Sequence, residues 1–292
     1  MREVRTQLSI SGKPVGLVPT MGALHEGHLQ LIKEASREAD VVVSIFVNPT
    51  QFGPNEDLDR YPRDPDGDLA LCEKAGVKAI FMPDPSEMYP SQGQIRFDLG
   101  SLSSEMCGTF RPGHFEGVCQ VVTKLFHIIQ PDLAWFGQKD IQQFLILEKL
   151  VNELNFPVGM RSVPTVREND GLALSSRNRY LSSEERAVAP ILYQSLQEIQ
   201  KAVISRSGHS SQELNLQTSS AGKNEPIHSD ISAILNKQRS RLTEAGFRLD
   251  YLDIYEKETL QPVTDVHKSE SVIIAGAAWL GSTRLIDNIV LS

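Results

Sequence analysis

Residues 15–28 constrain the fold most, because they have the pattern of a buried strand, a turn and the start of a helix. Residues 15–18 are apolar without alternation, as in a strand covered on both faces of a parallel sheet. Pro19, Gly22 and Gly27 then mark a turn, and the apolar spacing that follows predicts a helix. The unpaired amides at the start of that helix favour an anion such as a phosphate.

Two histidines, His25 and His28, lie three residues apart in this stretch, so their rings face the same side of a helical turn. Such imidazoles can donate hydrogen bonds to phosphate oxygens, where charge collects as pyrophosphate leaves a nucleotide. The pattern therefore predicts adenylyl transfer, although the spacing is equally consistent with two solvated side chains. Zinc is not expected, because His-Glu-Gly-His lacks the spacing of a zincin helix.

The remaining chain predicts alternating strands and helices, followed by a C-terminal part of different character. Further strands are expected at 41–47, 78–82, 132–136 and 159–166, with helices at 66–75, 115–129 and 140–154 between them. Helices at 182–204 and 230–245 and strands at 248–255, 271–279 and 284–290 then suit a small antiparallel sheet. We therefore expect an α/β fold: a Rossmann-like parallel-sheet nucleotide-binding domain (1–165), and a smaller C-terminal α+β lid domain (166–292).

Residues 205–228 are rich in Ser, Gln, Asn and Gly and offer little to bury. We interpret this segment as a mobile insertion between two helices of the lid domain.

Composition and charge narrow the class of partner. The 292 residues are 40% hydrophobic, and no apolar run is long enough to span a bilayer. A net charge of -8 argues against a broad nucleic-acid surface, so the expected partners are small molecules. The cysteines Cys72, Cys107 and Cys119 are too widely spaced for a metal pair or a disulfide framework. Neither a secretory signal nor a clear transit peptide precedes residue 15, which makes the cytoplasm the expected location.

Two polar groups follow other strands of the predicted sheet. Ligands bind outside the carboxyl ends of parallel strands, so Gln51 and Lys139 are expected beside the first motif. A solvated turn is the competing interpretation for each. Asp140 is expected to cap the next helix. Two roles are open for the polar loop 101–114, which carries Arg111 and His114: closing over a substrate or, more simply, capping the helix that begins near residue 115.

Five sequence blocks together resemble the pantoate–β-alanine ligase family, also called pantothenate synthetases. The first is Pro-Thr-Met-Gly-Ala-Leu-His-Glu-Gly-His, a variant of the HxGH signature of nucleotidyltransferases. The others occur in family order and cover most of residues 15–180: Phe46-Val-Asn-Pro-Thr-Gln-Phe52, Tyr61-Pro-Arg63 with Asp68, Phe136-Gly-Gln-Lys-Asp-Ile-Gln-Gln143, and Pro164-Thr-Val-Arg-Glu-Asn-Asp-Gly-Leu-Ala-Leu-Ser-Ser-Arg-Asn178.

The resemblance implies a two-step reaction that joins pantoate to β-alanine through a pantoyl adenylate and consumes Mg-ATP. It implies the catalytic residues His25, His28, Lys139, Ser175, Ser176 and Arg177, with His28 as proton donor. It implies an ATP site formed by Met21, Gly22, Ala23, Leu24, His25, Glu26, Gly27, His28, Gly137, Gln138, Lys139, Asp140, Val166, Leu174, Ser175, Ser176 and Arg177.

The resemblance further implies that Gln51 and Gln143 hold pantoate and β-alanine, that Asp68 is a candidate Mg²⁺ ligand, and that the protein is a homodimer. Two residues depart from the family pattern near the nucleotide: Leu174 replaces a common methionine and Gln138 a usual glutamate.

Two other functions remain open at this point. One is a cytidylyl- or adenylyltransferase of the same superfamily that uses a phosphorylated acceptor. It differs from the ligase in that AMP formation by the ligase requires pantoate and β-alanine together. The other is a nucleotide-binding regulatory module without turnover, which would have no use for two glutamines that serve the acid substrate.

Overall fold

A parallel sheet forms from the predicted apolar runs in the N-terminal half of the chain. The computed structural model describes residues 1–54, 56–91, 93–207, 231–263, 265–266 and 269–292. Within these residues the sheet has five strands in the order β3-β2-β1-β4-β5: β1 (Val15–Thr20), β2 (Asp40–Ile45), β3 (Ala79–Phe81), β4 (Leu133–Gly137) and β5 (Gly159–Val163). The helices that accompany it are α1 (Arg2–Ser9), α2 (Glu26–Glu38), α3 (Pro65–Lys74), α4 (Pro85–Met88), α5 (Cys107–Phe110), α6 (His114–Ile129) and α7 (Ile141–Glu153).

The C-terminal part contains an antiparallel sheet in the order β6-β7-β8. The elements of this C-terminal part are α8 (Ser183–Val188), α9 (Ile191–Ser207), α10 (Ile231–Glu244), β6 (Arg248–Glu256), β7 (Val272–Leu280) and β8 (Thr283–Leu291). The chain groups into two compact units, Met1–Glu168 with Ala173–Ser176, and Asn169–Leu172 with Arg177–Ser292. The predicted fold class is confirmed, whereas the domain boundary at residue 165 and the lid role stay predictions.

Several boundaries differ from the sequence prediction for local physical reasons. The single helix predicted at 182–204 is wrong, because α8 ends at Val188 and α9 begins at Ile191. Pro190 lies between them and has no N–H to donate to the Arg186 carbonyl, so the hydrogen-bond ladder of α8 does not continue. The start of α8 agrees with the prediction: Ser182 accepts the Glu185 N–H at 3.2 Å, and the Glu185 carboxylate accepts the Ser182 N–H at 2.8 Å.

Other differences concern shorter segments. β5 ends at Val163 instead of residue 166, and the N-terminal α1 was not predicted. The predicted insertion, residues 205–228, lies outside the described residues apart from 205–207, which belong to α9. Cys72, Cys107 and Cys119 are buried, and no disulfide joins them in the described part of the chain. No helix within the described ranges is long and apolar enough to cross a membrane.

Pro19 ends the pairing between β1 and β4. Main-chain groups of β1 face its two neighbours alternately, since the Val15 carbonyl bonds on the β4 side and the Thr20 carbonyl on the β2 side. By alternation Pro19 faces β4, where it has no N–H to donate. β1 accordingly pairs with β4 only at Gly16 and Leu17 in the described sheet, while its pairing with β2 continues to Thr20. The pairing ends at the point where the strand order reverses, which is where open α/β sheets bind ligands.

The packing of neighbouring side chains against β1 requires a glycine at position 16. A Cβ atom at Gly16 would lie 2.6 Å from Cζ3 of Trp135 and 2.8 Å from Cβ of Ala39. Trp135 is 2% exposed, so its ring has little room to move. The glycine therefore lets the tryptophan pack directly on the main chain of β1.

Gly16→Ala should lower the free energy of unfolding by about 1–3 kcal/mol, the usual cost of overpacking a core. Gly137→Ala is the matched control in β4, because a Cβ there meets nothing within 4 Å and its φ is -77°. That change should leave stability unchanged or raise it by up to about 1 kcal/mol. Urea unfolding of both variants measures the difference, and equal midpoints would contradict the packing argument.

Candidate active site

The turn after β1 has an unusual main-chain conformation. Gly22 and Ala23 have φ angles of +78° and +50°, a region that costs an alanine about 1–2 kcal/mol. A Cβ at Gly22 would lie 2.8 Å from Oδ2 of Asp68 and 3.1 Å from Cγ2 of Ile45, so only glycine fits. The Asp68 carboxylate accepts the N–H groups of Ala23 at 2.9 Å and Leu24 at 2.7 Å. A side chain of α3 therefore holds the turn in place.

The two histidines of the HxGH block cap the helix that they begin. Nδ1 of His25 accepts the Gly27 N–H at 3.1 Å, and Nδ1 of His28 accepts the His25 N–H at 3.3 Å. An imidazole nitrogen that accepts a hydrogen bond carries no proton, so both rings are neutral with the proton on Nε2. Their centroids are 4.1 Å apart. The pair thus offers two Nε2–H donors side by side.

The electrostatic surroundings keep His28 neutral. Burial, followed by the charges of His25 and Lys139, lowers the pKa of His28 from 6.5 to about 3, although Asp140 opposes them. At neutral pH this ring can donate a hydrogen bond from Nε2 but holds no ionisable second proton. The charge of Lys139 acts on His28, which indicates that the exit of β4 lies close to the turn after β1.

The exit of β4 is a tight turn, Gln138–Asp140, that leads into α7. Nζ of Lys139 lies 3.1 Å from Oδ2 of Asp140. Asp140 occupies the N-cap position of α7, as predicted, but its side chain makes no capping hydrogen bond. The adjacent ammonium group attracts the carboxylate more strongly than the helix amides do.

Gln51 is buried and its amide group is oriented by neighbours. Asn48 donates from Nδ2 to Oε1 of Gln51 at 3.0 Å and to the Gly117 carbonyl at 3.1 Å. Nε2 of Gln51 lies 3.2 Å from Sδ of Met21, and the hydroxyl of Tyr89 donates to Oδ1 of Asn48 at 2.8 Å. Gln51 therefore meets the first motif at Met21, as its strand-end position predicted.

A second set of contacts supports the main chain of Gln51. Nδ1 of His114 lies 2.9 Å from the Gln51 carbonyl, and its Nε2 lies 2.9 Å from Nη1 of Arg111. Arg111 only donates and the carbonyl only accepts, so His114 is neutral with its proton on Nδ1. Burial, followed by the Arg111 charge, lowers the pKa of His114 to about 4. Glu56 completes the set by accepting two hydrogen bonds from Arg111, at 3.0 and 2.5 Å.

Sequence reasoning did not assign these supporting contacts. The segment expected to cap α6 supplies its N-cap residue, Gly113, but no side chain caps the helix, and Arg111 and His114 instead support Gln51. Asn48 lay within a recognised block and could have been found there. Tyr89 carried no signal, because its partner is 41 residues away.

The last of the five sequence blocks, residues 164–178, approaches the first motif. The Leu174 N–H bonds to the Val166 carbonyl at 2.9 Å, and Arg167 pairs with Ala173, so the segment folds back on itself. Cβ of Leu174 lies 3.9 Å from the position of a Cβ at Gly27. Ser175 is half-buried and Ser176 is buried in the same unit.

The remaining predicted residues take different positions. Arg177 belongs to the second compact unit. Glu26 is exposed, and Gln143 is half-buried on the first turn of α7. Its neighbour Gln142 is 3% exposed and bonds to three main-chain groups at 2.8–3.0 Å, those of Leu102, Glu105 and Cys107.

Asp68 does not fit a metal ligand. Each of its oxygens accepts a main-chain N–H, and the residue is 2% exposed. The described part of the chain also holds no group of three His, Cys, Asp or Glu residues that could bind a metal ion.

Comparisons with known proteins show which proteins this chain is similar to. A family model described as pantoate-beta-alanine ligase matches residues 1–290. The chain is 48% identical to the pantothenate synthetase of Thermotoga petrophila over 292 residues, which cover 100% of this chain and 96% of the relative. It is 46% identical to that of Fervidobacterium nodosum over 293 residues, with coverage of 100% and 96%.

Solved structures give the same result. A crystal structure of the pantothenate synthetase from Thermus thermophilus is similar with a TM-score of 0.84 at 43% identity, covering 99% of this chain and 96% of that one. The pantoate-beta-alanine ligase from Francisella tularensis, complexed with beta-gamma ATP and beta-alanine, gives 0.74 at 31% identity, with coverage of 99% and 95%.

The geometry of the histidine pair generates a spectroscopic prediction. Nitrogen-15 NMR should show His28 as the Nε2–H tautomer without protonation between pH 8 and 5, since its pKa is lowered to about 3. The pKa of the unfolded chain is higher, so the folded state should lose stability as the pH falls from about 6.5 towards 3. Protonation of His28 near pH 6.5 would contradict the capped, neutral ring.

Proposed function

Because this chain belongs to the pantoate-beta-alanine ligase family, we propose that it condenses pantoate with β-alanine at the expense of ATP. The observation that carries the proposal is a pair of neutral histidines at the start of α2, beside Lys139 and an oriented Gln51. This set can bind an anionic leaving group and a hydroxy acid next to each other. The proposed reaction belongs to the biosynthesis of pantothenate.

The reaction has two steps. A carboxylate oxygen of pantoate attacks the α-phosphorus of ATP, the bond to the bridging oxygen breaks, and pyrophosphate leaves. The amine of β-alanine then attacks the acyl carbon of pantoyl adenylate, loses a proton and displaces AMP to give pantothenate. An acyl adenylate already carries a good leaving group, so the protein forms no covalent intermediate. Its tasks are alignment and charge stabilisation.

His25 and His28 stabilise the phosphates in the first step. Each presents an Nε2–H group that is fixed by the cap at its Nδ1, so no reorientation is needed as charge develops. Because His28 is neutral, it contributes a hydrogen bond rather than a transferred proton. Lys139 adds a positive charge, and Ser175, Ser176 and Arg177 complete the contacts to the polyphosphate.

Gln51 and Gln143 bind pantoate. A neutral amide can pair with both a hydroxyl and a carboxylate without forming a salt bridge that would weaken the nucleophile. Asn48 fixes the Gln51 amide by holding its Oε1. The lowered pKa of His114 keeps that ring neutral, so it can link the Gln51 carbonyl to Arg111 across the working pH range.

ATP enters as its Mg²⁺ complex, so the metal belongs to the substrate and the described residues need not hold it alone. The ATP site comprises the residues of the HxGH turn, the turn after β4 and the segment that contains Leu174. The protein acts as a homodimer in the cytoplasm, as the family pattern implies.

Omission of each substrate in turn tests the proposal. AMP should form only when ATP, pantoate and β-alanine are all present. With pantoate and ATP alone, each enzyme molecule should release a single molecule of pyrophosphate. His28→Ala should reduce pyrophosphate release about 100- to 1,000-fold, the usual loss for one such donor. His127→Ala, which removes an exposed histidine of α6, should leave it unchanged. Release of a nucleotide conjugate in place of AMP would refute the ligase assignment.

The adjacent glutamines Gln142 and Gln143 allow a matched comparison with Gln51. Gln51→Ala and Gln143→Ala should raise the KM for pantoate at least roughly tenfold and alter that for ATP less than about threefold, because each loses a hydrogen bond to the acid. Gln142→Ala should instead lower the melting temperature, because its three loop contacts are lost. Steady-state kinetics and thermal unfolding separate the two effects. A selective rise in the KM for ATP would contradict the proposal that Gln51 and Gln143 bind pantoate.

A further inference from the structure

Asp68 is a buried carboxylate that the reaction described above does not use. It lies in the first turn of α3, is 2% exposed and accepts the N–H groups of Ala23 and Leu24. A buried carboxylate is tolerated when such charge-assisted hydrogen bonds replace its hydration. Both of its oxygens are therefore committed to the turn between β1 and α2.

That turn needs an external support. Gly22 and Ala23 are consecutive left-handed residues, and alanine adopts that conformation only at a cost. Two hydrogen bonds to one carboxylate hold both peptide groups in this conformation. The space beside Gly22 is filled by Oδ2 of Asp68 and by Ile45, so the carboxylate also shapes the turn by contact.

The histidines follow directly from the residues that Asp68 holds. Leu24, whose N–H bonds to Asp68 at 2.7 Å, is joined to His25. The N–H of His25 bonds to Nδ1 of His28, and Nδ1 of His25 accepts the Gly27 N–H. A displacement of the Leu24 peptide would move the His25 N–H and break the contact that fixes the proton of His28 on Nε2.

The surroundings of Asp68 are those of a core position. Burial, followed by the negative charge of Asp68, raises the pKa of the Cys72 thiol to about 11, so the neighbouring sulfur stays protonated. The apolar side chain of Ile45 also lies here, because a Cβ at Gly22 would meet both its Cγ2 and Oδ2 of Asp68. A Mg²⁺ ion requires several oxygen ligands and retains water, and the described neighbours of Asp68 supply neither.

We propose that Asp68 is a positioning residue for the adenylyl-transfer step: it holds the main chain of Ala23 and Leu24 so that His25 and His28 present their Nε2–H groups, and it does not bind Mg²⁺. The inference rests on the proposed ligase reaction for its kinetic consequence. Its structural part stands independently of any substrate.

Asp68→Asn is the informative variant, because an amide keeps one acceptor and places an N–H donor against the second main-chain N–H. Asp66→Asn is the matched control, since it removes the same charge from the same helical turn at an exposed position. Asp68→Asn should lower kcat at least roughly tenfold while changing the Mg²⁺ concentration for half-maximal rate by less than about twofold. Asp66→Asn should change neither.

Nitrogen-15 NMR of the histidine rings supplies a measurement without substrate. Asp68→Asn should convert part of His25 and His28 to the Nδ1–H tautomer, whereas Asp66→Asn should leave the wild-type spectrum. A raised Mg²⁺ requirement with unchanged histidine spectra would overturn the proposal and make Asp68 a metal ligand. A wild-type enzyme that forms no pantothenate would refute the proposed function and leave the spectroscopic result standing.

The wild-type protein keeps the proposal testable if Asp68→Asn fails to fold. The amide hydrogens of Ala23 and Leu24 should exchange slowly, because both are bonded to a buried carboxylate. Mn²⁺ added without ATP should leave their NMR signals sharp. Fast exchange of both amides, or selective broadening of their signals by Mn²⁺, would refute the positioning role.

Discussion

The missing N–H of Pro19 is the constraint on which the site depends. It faces β4, so the two central strands stop pairing while β1 continues along β2. The chain after each strand is then free to form its own turn at the same edge of the sheet. The turn with the histidines and the turn with Lys139 both begin there. A fully paired β1 would have carried its ladder to the end of β4 and closed the position where a ligand binds.

The site that results is built mainly from neutral donors. His28 is kept neutral by burial and by its cap, and His114 by burial and by the Arg111 charge. Neutral groups held by main-chain contacts need little reorganisation when charge develops on a phosphate. They also avoid trapping the anionic products by strong ion pairing. Among the described residues of the first motif and the turn after β4, Lys139 supplies the positive charge.

Support for the reactive groups comes from behind them. Asp68 lies under the turn of His25, and Asn48 and His114 lie behind Gln51. In each case a buried side chain bonds to a main-chain or amide group at or next to the supported residue. This arrangement places the cost of burying polar atoms outside the ligand-binding surface, where hydrogen bonds inside the protein offset it.

The sequence by itself determined the order and type of the main elements, because apolar periodicity and turn residues act locally. It also identified the family through blocks that lie at strand ends, and it gave Gln51 its place beside the first motif. It could not decide which nitrogen of each histidine carries the proton, why the Asp140 side chain makes no hydrogen bond to the start of α7, or what Asp68 binds. Those answers depend on partners brought together only by folding, such as Leu24 and Asp68, 44 residues apart. A hydrogen bond is set by distance and direction in three dimensions, and neither is encoded in the local pattern of the chain.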